Sequence, residues 1–118
     1  MGFFNKKNKD TASSSGDNSY LKISMTKDGA EYTFLLEGRL DTITSPELDS
    51  KINEVIGDSK KLTLDFAKLE YISSAGLRVL LGALQAMEGK GEMVVRNLTA
   101  PVHEVFELTG FARLFNIE

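Results

Sequence analysis

Apolar residues recur at every second position in some stretches of this chain and at every third or fourth in others, and the two kinds alternate. Leu21, Ile23 and Met25 share one face of an extended segment, and Tyr32, Phe34 and Leu36 share one face of the next. Lys27-Asp28-Gly29 supplies a turn between them, so the pattern predicts a hairpin. Gly38-Arg39-Leu40-Asp41 then leads to Ser45-Pro46, a cap serine with proline at the first helical position. Leu48, Ile52, Val55 and Ile56 follow at helical spacing, and Gly57-Asp58 ends that helix. A third strand is expected over Lys61–Phe66, with Leu62, Leu64 and Phe66 in phase, followed by a short turn. A second helix is expected from about Ser74 to Met87, burying Leu77, Leu80, Leu81 and Leu84, with Gly89-Lys90-Gly91 as its stop. Met93-Val94-Val95 is continuously apolar, the pattern of a fully buried strand. A third helix starts around Pro101, buries Val102, Val105 and Phe106, and stops at Gly110. Phe111, Leu114, Phe115 and Ile117 then form a closing turn and edge segment. Such alternation predicts an α/β sheet with helices packed on it.

The periodic pattern begins only at residue 20. Between Asn5 and Ser19 there is no Val, Ile, Leu, Phe, Met, Tyr or Trp, and Ser13-Ser14-Ser15-Gly16 is linker-like. A segment of this kind buries too little apolar surface to offset its ordering entropy. Residues 1–19 are therefore expected to be a disordered leader and residues 20–118 one domain. The leader's Phe3-Phe4 tip and its lysines leave contact with an anionic membrane or a partner open.

Composition removes several function classes. The chain has no Cys, which excludes disulfides and thiolate chemistry and fits a reducing cytosol. A formal charge of −3 argues against direct, nonspecific nucleic-acid binding. No apolar run approaches the roughly 20 residues of a transmembrane helix, and the start lacks the apolar core of a secretory signal. A cytoplasmic location is expected.

The chemistry that remains centres on Tyr71-Ile72-Ser73-Ser74-Ala75-Gly76-Leu77, where a strand gives way to a helix. A hydroxyl at a helix mouth sits among N–H groups with no intrahelical partner, a place that favours negative charge such as a phosphate. The same serine is also what an ordinary helix cap looks like. Catalysis by Ser74 would need a base, for which the sequence offers His103, the only histidine, or a carboxylate. His103 lies off the Val102/Val105/Phe106 stripe and reads as solvated. No Gly-rich phosphate loop precedes a helix, and nothing calls for a cofactor or metal, so an enzyme is not expected. Asn97-Leu98-Thr99 reads as a cap turn.

Four blocks occur in order: Gly38-Arg39-Leu40-Asp41, the Leu62–Phe66 strand, Ile72 through Leu81, and Val105-Phe106-Glu107-Leu108-Thr109-Gly110-Phe111. Together they resemble the STAS domain of bacterial anti-anti-sigma factors, over about residues 20–118. The resemblance implies a mixed β-sheet of four to five strands with helices packed mainly on one face. It also implies partner switching. The unphosphorylated form binds an anti-sigma factor with serine kinase activity and frees a sigma factor. Phosphorylation breaks the complex, and a phosphoserine phosphatase resets it. The family's phosphorylated serine falls on Ser74, with Ser73 a second hydroxyl beside it. Asp41, Ser73, Ala75 and Gly76 fall on the partner-binding surface.

Three positions depart from the family pattern. Ser73 stands where Asp often precedes the phosphorylated serine, Ala75 where Ser or Thr often follows, and Arg39 where Glu is found. The surface is accordingly less acidic, which bears on which kinase is recognised. An alternative within the same family is a docking subunit of a lipid-transport ABC complex, faintly favoured by the basic, Phe-tipped leader. A ligand-sensing domain is a third reading, although no residue pattern points to a ligand.

Overall fold

A computed structural model describes residues 20–118; the expected leader, residues 1–19, lies outside them. Among the described residues the elements run β1 (Leu21–Asp28), β2 (Glu31–Leu40), α1 (Ser45–Val55), β3 (Lys61–Ile72), α2 (Ser74–Met87), β4 (Glu92–Arg96), α3 (Ala100–Thr109) and β5 (Asn116–Ile117). The strands form one sheet in the order β1-β2-β3-β4-β5. β1 and β2 pair antiparallel as the predicted hairpin, and the other neighbours are parallel. Each parallel pair is joined by a crossover carrying a helix, the connection such pairs require.

The sheet has two unlike faces. Tyr32, Phe34, Leu36, Leu62, Leu64, Phe66, Met93 and Val95 are buried in one cluster with Leu48 and Ile52 of α1, Leu77, Leu80, Ala83 and Met87 of α2, and Val102 and Phe106 of α3. The register puts Ser24, Leu35, Glu37, Thr63, Asp65 and Arg96 on the opposite face. A hollow of about 180 Å³ there is lined by residues that include Lys22, Ser24, Leu35, Glu37 and Asp65. That is well below the roughly 300–1,000 Å³ of small-molecule sites, so it lends no support to a ligand-sensing domain.

Most of the expected elements are present, and the departures have physical causes. β3 does not end at Phe66 but continues to Ile72, paired with β2 throughout. Its register slips twice, so β3 spends an extra residue at each slip, and the inward residues become Phe66, Leu69 and Ile72. Two bulges therefore break the alternation, which is why this segment reads as a turn in sequence. On the other strand Gly38 has φ +115, and a Cβ there would sit 2.2 Å from the Tyr20 carbonyl oxygen. Only glycine allows that approach, where the Arg39 N–H donates to the same oxygen at 2.7 Å.

In α2 the buried stripe is Gly76, Leu77, Leu80, Ala83 and Met87. Leu81 and Leu84, expected in the core, are half-buried because the helix turns its small residues toward the sheet. β1 is an edge strand in which Leu21 is buried and Ile23 half-buried, while Met25 is exposed.

Candidate functional site

The carboxyl ends of parallel strands and the loops that follow them are where open α/β sheets gather functional groups. Here the ends of β2 and β3 meet. The Ser73 N–H donates to the Leu40 carbonyl at 2.9 Å, tying the mouth of α2 to the last residue of β2. This brings Asp41, Ser73 and Ser74, far apart in sequence, to one end of the sheet.

Ser73, not Ser74, occupies the cap position of α2. Its backbone is extended (φ −102°, ψ 176°), and its carbonyl accepts the first intrahelical bond, from the Leu77 N–H at 3.0 Å. Its side chain makes no capping bond; the hydroxyl oxygen is buried with no hydrogen-bond partner among the described residues. Ser74 is the first helical residue and is exposed. Two adjacent hydroxyls thus differ completely in access, because an extended residue and a helical one point their side chains in different directions.

Ala75 is half-buried beside them, and Gly76 is buried. A Cβ on Gly76 would lie 2.9 Å from Ile72 Cγ1 and 2.9 Å from Leu40 Cγ. The missing side chain lets the first turn of α2 lie against the ends of β2 and β3. The structure gives Gly76 a packing role.

Asp41 organises the neighbouring loop. Its Oδ1 accepts from the Ile43 N–H at 3.0 Å and the Thr44 N–H at 3.1 Å. The Thr44 hydroxyl donates to the Arg39 carbonyl at 2.9 Å and accepts from the Asp41 N–H at 2.8 Å. Chiefly through the Thr44 amide, with help from Ile43, these bonds hold the Asp41 carboxyl below its ordinary value of 3.8 despite some burial. The expectation that Ser45 caps α1 is corrected: Ser45 is buried inside the first turn with a hydroxyl that has no partner among the described residues, Thr44 is the cap residue, and the Asp41 carboxylate binds the amides ahead of the helix. Held by this network, Ile43 projects with 75% of its surface exposed.

Arg39 and Tyr71 face each other across β2 and β3, with the guanidinium carbon 4.3 Å from the ring centroid. The same guanidinium lies 3.9 Å from Asp41 Oδ2. Arg78 is exposed one helical turn beyond Ser74. His103 is distant in role: it is exposed on α3, with Nε2 3.8 Å from Glu107, and among the described residues no base is hydrogen-bonded to Ser74.

One cluster escapes sequence reasoning. Asp65 is only 8% exposed although it lies on the sheet face opposite the helices. It accepts from the Ala67 N–H at 3.0 Å, Asn97 Nδ2 at 3.2 Å and Arg96 Nε at 3.2 Å. Burial raises its carboxyl, but these bonds outweigh burial and leave it below 3.8. The cluster fixes the turn into α3, where Asn97 adopts φ 60° and the Thr99 hydroxyl donates to the Leu69 carbonyl at 2.7 Å. Its one signal in the sequence is a carboxylate set between Leu64 and Phe66, both buried.

The family profile for the STAS domain matches residues 22–118. BtrV of Bordetella bronchiseptica, named as a candidate anti-sigma factor antagonist, is 35% identical over 99 residues, covering 82% of this chain and 85% of its own. The crystal structure of an anti-sigma factor antagonist from Mycobacterium paratuberculosis superposes with a TM-score of 0.76 at 20% identity, covering 82% of this chain and 84% of that one. SpoIIAA of Bacillus, solved in an unphosphorylated and a phosphorylated form, superposes with TM-scores of 0.73 and 0.67 at 20% identity. Each comparison covers 82% of this chain, with 88% and 91% of the respective SpoIIAA chains.

Proposed function

This chain belongs to the STAS domain family, and from that premise we propose that it is an anti-sigma factor antagonist switched off by phosphorylation at Ser74. The unphosphorylated protein binds an anti-sigma factor that is also a serine kinase, so that a sigma factor is released. The kinase transfers the γ-phosphoryl group of ATP to Ser74 Oγ; ADP leaves, and the hydroxyl proton passes to a base on the kinase. A phosphatase returns the serine by hydrolysis. The names carried by relatives such as BtrV, and the phosphorylated form of SpoIIAA, support this reading.

The observation that carries the choice of residue is the contrast in access. Ser74 is exposed at the start of α2, whereas the Ser73 hydroxyl is buried. A phosphate adds about −1.5 to −2 charges at neutral pH. Beside a helix N-terminus this is favourable by about 0.3–1 kcal/mol, so the domain stays folded. Against a docked partner, a misplaced charge costs several kcal/mol. A penalty of about 3 kcal/mol weakens binding by roughly two orders of magnitude. The switch therefore acts at the interface, with the fold nearly unchanged.

The test is phosphate mapping by mass spectrometry after incubation with ATP and anti-sigma kinases from the same genome. One phosphate is expected on wild type and on Ser73→Ala, and none on Ser74→Ala. Loss only in Ser73→Ala would move the switch by one residue. No phosphate with any kinase, together with co-purification of an ABC-type ATPase, would replace it with the docking-subunit reading.

A further inference from the structure

β1 closes the sheet on one side, and among the described residues β2 is its only neighbouring strand. Which of its backbone groups are left over follows from the register. The Arg39 N–H donates to the Tyr20 carbonyl at 2.7 Å, and the pairing runs on from there to Asp28 and Glu31 without a slip. Hydrogen-bonded pairs recur at every second residue of an antiparallel ladder, so Lys22, Ser24, Thr26 and Asp28 turn their N–H and C=O groups toward β2. Leu21, Ile23, Met25 and Lys27 turn theirs outward. A free row of this kind is a template for another strand, and edges are ordinarily blunted by proline, a bulge, a short length or a lysine. β1 has eight residues, no proline and no bulge. Its Lys27 lies back over its own molecule, with the ammonium 5.6 Å from the Tyr32 ring centroid.

We propose that this edge is occupied by β1 of a second copy of the chain, paired antiparallel about a two-fold axis through Met25. Outward groups must meet outward groups, so odd-numbered residues stand only opposite odd-numbered ones. That rule excludes every register that would set Lys22 against Lys27. With the axis at Met25, Met25 faces its own copy and Ile23 faces the second copy's Lys27, each pair exchanging backbone bonds. On the open face of the sheet, Lys22 stands opposite the second copy's Asp28, twice by symmetry, and Ser24 opposite its Thr26. Moving the axis to Ser24 or Thr26 sets Lys22 against Thr26 or Ala30 and loses both ion pairs. Charge complementarity therefore selects one register. Lys22, Ser24, Met25, Thr26, Lys27 and Asp28 are all exposed, so none has to leave a packed position to meet its counterpart.

The pairing leaves the serine junction open and does not depend on Ser74 being modified. β1 starts beside Gly38, near the end of β2 whose Leu40 carbonyl holds the Ser73 N–H, and runs away from it. An antiparallel second copy thus places the two junctions at opposite ends of one joined sheet. Edge pairing buries few side chains, so the dimer forms and dissociates with concentration.

Sedimentation equilibrium of the full chain, from micromolar to millimolar concentration, is the test. Wild type is expected in monomer–dimer exchange. Lys22→Glu and Asp28→Lys each turn both ion pairs into like-charge contacts and should weaken the dimer roughly tenfold. An equimolar mixture of these two variants should recover wild-type association, because each copy then supplies the charge that the other lacks. Met25→Pro removes an outward N–H that β2 does not use and should abolish the dimer, with thermal unfolding to check the fold. Where that variant is unstable, the mixture decides. A wild type that stays monomeric throughout overturns the proposal. So does an association that the charge variants leave unchanged, or one that mixing them fails to restore.

Discussion

Two helices begin side by side at the same end of the sheet, and their entrances are built differently. Ahead of α1, Asp41 and Thr44 use nearly every donor and acceptor on each other and on the backbone. At α2, the cap residue Ser73 makes no side-chain capping bond, and Ser74 stands exposed beside it. The first entrance spends its polar groups on rigidity. Among the described residues, the second leaves the positive end of a helix without a side-chain cap, beside an exposed hydroxyl. The difference lies between a loop whose polar groups are engaged and a junction that leaves a hydroxyl in solvent, and the two are tied together through the Leu40–Ser73 hydrogen bond.

The strongest way to break this arrangement is to lift α2 off the strands. Gly76→Val places branched carbons where even a Cβ would be 2.9 Å from Ile72 and Leu40. Overpacking of this kind costs about 1–3 kcal/mol, which chemical denaturation would read as a lower midpoint. An unchanged midpoint would mean that the two strand ends yield freely and that the junction is not rigid.

A smaller effect is expected from Asp41→Ala, which leaves the Ile43 and Thr44 amides without their acceptor and should cost about 1–2 kcal/mol. The same network sets an acid limit. Asp41 and Asp65 both have carboxyls held below 3.8, so their contribution is complete above that value and is lost as pH falls through it toward the folded-state values. Thermal unfolding followed from pH 6 to pH 2 should show this decline, and Asp41→Ala should flatten part of it. A profile identical to wild type would show that Asp41 does not hold the loop.

The smallest effect sharpens the contrast between the two serines. Ser73→Ala removes a buried hydroxyl that has no partner among the described residues, and the change in stability should stay within about 0.5 kcal/mol. A loss of more than about 1 kcal/mol in the same denaturation experiment would mean that this hydroxyl does cap α2 in solution.

Much of this was legible in the chain. The hairpin, α1, α2, the apolar β4 strand and α3 follow from period two, period 3.6 and their glycine and proline stops, because burying one face imposes that spacing on any sequence. The resemblance of four ordered blocks pointed to Ser74 and Asp41. The second half of β3 was hidden because its inward residues fall at Phe66, Leu69 and Ile72, a spacing of three that breaks the alternation of a strand. The role of Asp65 was hidden because its partners, Arg96 and Asn97, lie some 30 residues further along the chain.

Residue type and spacing were sufficient for most of the elements and for the pair of hydroxyls at a helix mouth, since these depend on local geometry, but not for the second half of β3 or the exact buried stripe of α2. Which hydroxyl faces solvent, which residue caps each helix and why position 76 is glycine all depend on how β2, β3 and α2 are pressed together. The bond from Ser73 to Leu40 and the contact of Gly76 with Leu40 and Ile72 join segments more than thirty residues apart in the case of Leu40. No periodicity within one segment carries that information, so it emerges only when the two strand ends and the helix share the same few ångströms.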